Sequence, residues 1–239
     1  MTPVDDRFQE LRQLLRAYEK PGYAFDDTLE APGSALSAYL RMAAFAPERA
    51  AAALREIQDL LMVGLFSDEI ADDVELLPHI HPPRGVGVED CLRVIQQHLE
   101  RFLAAPPPPR PSLRPKSRWE WRERLPAMGH FLGAYFYQDS LKLEYCSHAE
   151  AVDDYLSGEP TEDIEKAAAE IGECLALNQS EDELREAATT LGLHGPLPTG
   201  VSLRQWLTDI RDILIIAPGA TEPDGVTTAA GRQPDWSNR

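Results

Sequence analysis

Cysteine is scarce in this 239-residue chain. Cys91, Cys146 and Cys174 are odd in number, dispersed and without a C-x-x-C pair, so neither a disulfide framework nor a zinc site is suggested. All three read as small buried apolar residues. Long apolar runs are missing too: no stretch approaches the roughly 20 residues that span a bilayer. The opening MTPVDDRFQE lacks the basic and apolar regions of a signal peptide, so the expected location is the cytoplasm, away from membranes. Positive charge is in short supply. Lys and Arg number 23 against 40 Asp and Glu, for a formal net charge of −17. Affinity for phosphate backbones comes mainly from Lys and Arg, so direct nucleic-acid binding is not expected, and a basic protein partner suits the surface better. Catalytic signatures are absent as well: G-x-G-x-x-G, G-x-x-x-x-G-K-[ST], G-x-S-x-G and H-E-x-x-H do not occur. No catalytic residue, cofactor or metal is assigned. Runs of β-branched residues are few, and ILII near Ile213 continues a helical stripe.

What is present is helical periodicity. Leu11, Leu14, Leu15 and Tyr18 recur at three- and four-residue spacing, as do Leu54, Ile57, Leu60 and Leu61, and later Leu203, Trp206, Leu207, Ile210 and Leu214. Start signals accompany the stripes: Ser34, Ser67 with Ile70, Ser180 with Glu183 as a capping box, and Ser202. Gly64, Gly158, Gly192 and the segments HPPRG and HGPLPTG mark stops. The segment AAPPPPRPSLRPKSR forces extended geometry and reads as a linker. Residues 104–124 carry six basic and two acidic groups, against net −8 before them and net −12 over 125–217. The expected fold is therefore all-α: two similar small helical bundles of about five helices each, residues 1–103 and 125–217, joined by a basic proline-rich linker, 104–124. A tail from 218 to 239 without apolar periodicity is expected to be disordered.

The two bodies align as a weak internal repeat. LRQLLRAY ending at Tyr18 matches MGHFLGAY ending at Tyr135, and SALSAYL (34–40) matches EAVDDYL (150–156). REIQDLL ending at Leu61 matches AEIGECL ending at Leu175, and SDEI (67–70) matches EDEL (181–184). GVGVEDCLRVIQQHL from Gly85 matches GVSLRQWLTDIRDIL from Gly200. Duplication followed by divergence explains this most simply.

Several residue groups invite chemistry. His79 and His81, with Asp72, Asp73 and Glu75 nearby, suggest a metal site, but they lie between Pro78 and Pro82 in a loop and read as solvated. Asp153 and Asp154 with Glu150 have the residue types for acid and base roles, yet no paired nucleophile accompanies them. The P-x-x-P spacings at Pro106 and Pro109 and at Pro108 and Pro111 read as a spacer before a ligand motif. Trp119 and Trp121 among arginines begin the first helix of the second half, one ring packing on the bundle and the arginines facing acidic neighbours.

FLGAYFYQD (131–139), a Leu/Glu/Tyr stretch and HAEAVDDYL (148–156) together resemble the helical immunity proteins of contact-dependent growth inhibition systems. That family opens on an aromatic pair followed by His-Gln-Asp. Here Phe136, Tyr137, Gln138 and Asp139 occupy those positions, with Tyr137 in place of the His. SEDELREAATTLGL and GVSLRQWLTDIRDIL extend the resemblance over roughly 125–216. Residues 7–103 are similar more weakly: LLRAYEKPG keeps Tyr18 and loses Gln-Asp, which implies a tandem with one diverged copy. The resemblance implies a protein that binds the toxic C-terminal domain of a polymorphic toxin, expected to be basic, and blocks it. An acidic helical surface suits the basic cleft of a nuclease and accelerates encounter. On this reading Asp139, Glu144, Glu150, Asp153 and Asp154 form the toxin-facing patch, with Tyr137 as an aromatic anchor. Two readings compete: a helical adaptor unrelated to toxins, and a metal-dependent hydrolase using the His79–His81 loop.

Overall fold

The computed structural model describes residues 8–19, 23–64, 77–111 and 113–216, the side chains of Leu141 and Lys142 excepted. The structure is all-helical, with no strand among the described residues. None of the described helices is long and apolar enough to cross a membrane. The expected helix start at Ser67 and Ile70, the carboxylates Asp72, Asp73 and Glu75, and the tail 218–239 lie outside the described residues. The chain divides into two compact units, residues 1–111 and 112–239.

Among the described residues of the first unit the helices are α1 (Gln9–Arg16), α2 (Ser34–Ala43), α3 (Pro47–Val63) and α4 (Val88–Ala104). Each follows its apolar stripe. Leu11, Leu14 and Leu15 of α1, Leu36 and Tyr39 of α2, Ile57 and Leu60 of α3, and Leu92, Ile95 and Leu99 of α4 are all buried. Helix α3 packs against α1, α2 and α4, and α2 also meets α4. The connection from α1 to α2 is tied by its own carboxylates. Buried Asp27 accepts the Tyr18 hydroxyl at 2.7 Å and the Gly33 N–H at 2.6 Å. Asp26 accepts the Tyr23 hydroxyl and, at 3.1 Å, the N–H of Ser34. The start signal expected from Ser34 is thus supplied by Asp26, because the Ser34 hydroxyl faces Tyr23 at 2.8 Å. His79 and His81 are exposed on either side of buried Ile80.

In the second unit the helices are α5 (Arg118–Arg124), α6 (Pro126–Tyr135), α7 (Ser140–Leu143), α8 (His148–Gly158), α9 (Thr161–Leu177), α10 (Glu181–Thr190) and α11 (Leu203–Ile216). Helix α9 is central and packs most extensively on α11 and α6. Phe131, Phe136, Tyr155 and Trp206 are buried to 0% or 1% exposure. Their rings meet edge to face: Phe131 lies 4.7 Å from Tyr155, and Phe136 lies 5.0 Å from Trp206. The Ser180–Glu183 capping box opens α10 as its spacing predicts, and Ser202 accepts the Gln205 N–H before α11. A second box, Ser117 with Glu120, opens α5.

The proline-rich stretch joins this unit from Leu113 onward. The Arg114 guanidinium donates to Asn178 Oδ1 at 2.9 Å and to Glu186 Oε2 at 2.6 Å, and its Cζ sits 5.7 Å from the Trp121 ring centroid. Arg124 donates to Glu173 and to the Leu113 carbonyl. As expected, Trp121 is buried in the bundle, at 4% exposure. Cys91 and Cys174 are buried, but Cys146 is exposed. The reading of all three as buried fails there because Cys146 sits in the α7–α8 turn, off any apolar stripe, with its N–H bound to Glu150.

One bond recurs at aligned positions. The Glu56 carboxylate on α3 accepts the N–H of Leu11, the third residue of α1, at 2.7 Å. The Glu170 carboxylate on α9 accepts the N–H of Met128, the third residue of α6, at 2.8 Å. In each unit a carboxylate from the long helix thus satisfies an orphan donor at a helix N-terminus and meets its dipole. Glu170 is only 7% exposed, and this burial raises its pKa against the opposing pull of the Met128 N–H. A raised carboxylate pKa favours folding when protonated, and that contribution is complete below the ordinary value of 4.5 and fades as pH rises through the raised one. Glu170→Gln should therefore gain on the wild type as pH rises from 4.5 to 8. Urea midpoints measured across that range check this; a pH-independent difference would mean that Glu170 titrates alike in the folded and unfolded states.

Candidate protein-binding surface

The residues between α6 and α8 are held by contacts at both ends. The Phe136 carbonyl, just past the end of α6, accepts the N–H groups of His194 at 3.1 Å and Gly195 at 2.9 Å. At the far end Ser147 caps α8, its hydroxyl accepting the Glu150 N–H at 3.2 Å. His148 follows, buried at 8% exposure, with Nε2 donating to the Pro196 carbonyl at 2.9 Å. Its ring stacks on Phe136, and burial lowers its pKa, so the imidazole is neutral at physiological pH. Residues 137–147 are thereby presented from a rigid base.

Helix α8 turns Ala151, Val152 and Tyr155 into the core and leaves Glu150, Asp153 and Asp154 exposed. The spacing of those three carboxylates puts them on one outward stripe. Glu150 also accepts the Cys146 N–H at 2.6 Å, which fixes its carboxylate over the turn. Glu144 is exposed just beyond α7 and pairs with the Tyr137 hydroxyl; that bond is the main reason the Tyr137 pKa is raised. Asp139 sits half-buried at the N-cap of α7, where its carbonyl accepts the Leu143 N–H at 3.0 Å. The six expected residues therefore lie on α7, α8 and their flanking turns.

The surface also recruits residues that sequence reasoning did not single out. Tyr145 donates to Asp154 at 2.8 Å. Tyr135 stacks on Tyr145 with centroids 6.3 Å apart, and its hydroxyl reaches Glu159 at 3.4 Å. His130 pairs with the same Glu159 carboxylate at 2.9 Å. Burial, followed by the neighbouring carboxylate, raises the Tyr135 and Tyr145 pKa values, so both phenols remain donors at neutral pH. Leu143 is 77% exposed beside Glu144. The resulting face is acidic and aromatic, with an unshielded leucine. The one available signal was the density of tyrosines within FLGAYFYQDSLKLEY; their pairing with carboxylates up to 24 positions away required the fold.

No group of His, Cys, Asp and Glu among the described residues has an arrangement that could hold a metal ion. The surface can recognise a protein through carboxylates and phenols. The family model for CdiI immunity proteins matches residues 124–214, from the last residue of α5 to within α11. Neither a curated protein nor a solved structure matches the chain. The matched segment contains the whole α7–α8 face and the helices that hold it, and over residues 124–214 this chain is similar to the CdiI immunity proteins.

Proposed function

We propose that this chain binds the toxic C-terminal domain of a cognate bacterial toxin and neutralises it by occlusion, not by catalysis, working in the cytoplasm. The observation that carries the reading is the coincidence of the family match over residues 124–214 with an exposed carboxylate-rich face inside it. Tyr137, Asp139, Glu144, Glu150, Asp153 and Asp154 are the toxin-facing residues on this reading. Their chemistry selects a basic partner, such as a nuclease whose cleft must attract phosphates. Residues 1–103 are a diverged copy of residues 125–217. The recurrence of the Leu11–Glu56 bond as Met128–Glu170 at aligned positions supports that descent.

Co-expression with the toxin domain encoded beside this chain's gene tests the proposal. The expected result is restored growth together with a nanomolar complex. Unrelieved toxicity with no complex would overturn it and leave the family match as a statement about fold alone.

A further inference from the structure

The two units differ at the positions that make the candidate face. On α2 the residues aligned with Glu150, Asp153 and Asp154 are Ser34, Ser37 and Ala38. Ala38 is buried at 3% exposure, whereas Asp154 is exposed. In the preceding connection of the first unit Asp27 is buried between Tyr18 and Gly33, Asp26, though exposed, is engaged by the Tyr23 hydroxyl and the Ser34 N–H at the N-terminus of α2, and Glu30 is exposed. In the second unit the same connection projects α7, and Leu143 stands 77% exposed beside the Tyr137–Glu144 pair. An exposed apolar side chain set among polar groups has the composition of an interface centre with a water-excluding rim.

We infer that one chain engages one toxin domain, through the α7–α8 face of the second unit alone, with Leu143 entering an apolar socket rimmed by basic side chains; the first unit lacks the acidic stripe, carrying Ser34, Ser37 and Ala38 on α2 in its place. The inference rests on the toxin-binding reading above. It fixes what the duplication alone leaves open, since two intact copies would offer two sites. Leu143 supplies the apolar contact, while Glu144, Asp154 and Glu150 supply the charge that selects a basic rim.

The full-length chain and the toxin domain encoded beside its gene provide the test. Native mass spectrometry of the purified complex should give one toxin per chain. Cys91 and Cys174 are buried and Cys146 is exposed within the face, so a maleimide reports on Cys146. Its alkylation should slow at least about tenfold in the complex. Leu143→Glu, at an exposed position, should weaken binding about 100-fold with the thermal midpoint unchanged. Two toxins per chain would overturn the inference and leave the toxin-binding reading standing. So would a one-to-one complex in which Cys146 reacts at the free rate and Leu143→Glu binds normally. Absence of any complex would instead sink the toxin-binding reading, and this inference with it.

Discussion

Gly192→Ala should destabilise the second unit by about 3–5 kcal/mol, read as a lowered urea midpoint. Gly192 follows the C-terminus of α10 with φ +117°, a conformation that side chains rarely adopt. The Leu193 N–H bonds to the Ala188 carbonyl at 2.9 Å and the Gly192 N–H to that of Thr189 at 3.1 Å, the two bonds of a Schellman cap. Strain is only part of the cost. A Cβ at Gly192 would lie 2.6 Å from the Gly133 Cα and 2.9 Å from the Gly133 nitrogen. Those are backbone atoms of α6 and cannot swing aside, so α6 and the end of α10 would separate. His194 and Gly195 would then lose the Phe136 carbonyl, and with it the anchor of the candidate face. Gly200 provides the control: its φ is +80°, but nothing lies within 4 Å of an added Cβ. Gly200→Ala should cost only about 1 kcal/mol. Equal losses at the two sites would show that the close approach to Gly133 contributes nothing.

Reversing charge at both Asp153 and Asp154 to Lys should weaken toxin binding about 30- to 1000-fold without unfolding the chain, since both side chains are exposed. Each reversal replaces an attraction to a basic partner by a repulsion. At about 1–2 kcal/mol per position, the pair yields about 2–4 kcal/mol. Asp154→Lys also removes the acceptor for Tyr145 and frees that ring from its place beside Tyr135. The loss should appear mainly in the association rate and shrink in 1 M salt, where the screening length falls to about 3 Å. Asp182→Lys with Asp212→Lys, exposed on α10 and α11, changes net charge equally and should have a much smaller effect. Parity between the two double variants would mean that net charge, and not this face, governs binding.

The helices were legible because burial writes a period into sequence. Leu203, Trp206, Leu207, Ile210 and Leu214 are all buried at 0% exposure, as their spacing requires. Caps with fixed local spacing, such as Ser180–Glu183, were equally readable. Interactions between distant positions were not. Arg114 in a proline-rich stretch reads as linker, since its partners Asn178 and Glu186 lie 64 and 72 positions away. Cys146 was misassigned because residue type predicted burial while the turn that exposes it had no periodic signal. At the candidate face, sequence singled out Glu150, Asp153 and Asp154 as acidic residues of HAEAVDDYL, and the fold leaves all three exposed on α8. The roles of Tyr145, Glu159 and Leu143 depend on how α7 and its turns fold back, which no local pattern encodes.

The recurring carboxylate-to-helix bond has a consequence for how each unit assembles during translation. The donor Met128 precedes its acceptor Glu170 by 42 positions, and Leu11 precedes Glu56 by 45. At ribosomal rates of about 5–20 residues per second, α6 waits about 2–8 s for its terminating charge to be synthesised. A helix as short as α6 is marginal in isolation until then. The short helices α1 and α6 are therefore secured only after the long helix that follows in each unit has been made. The second unit's face, whose leading edge follows directly from α6, forms only once α9 has emerged to hold it.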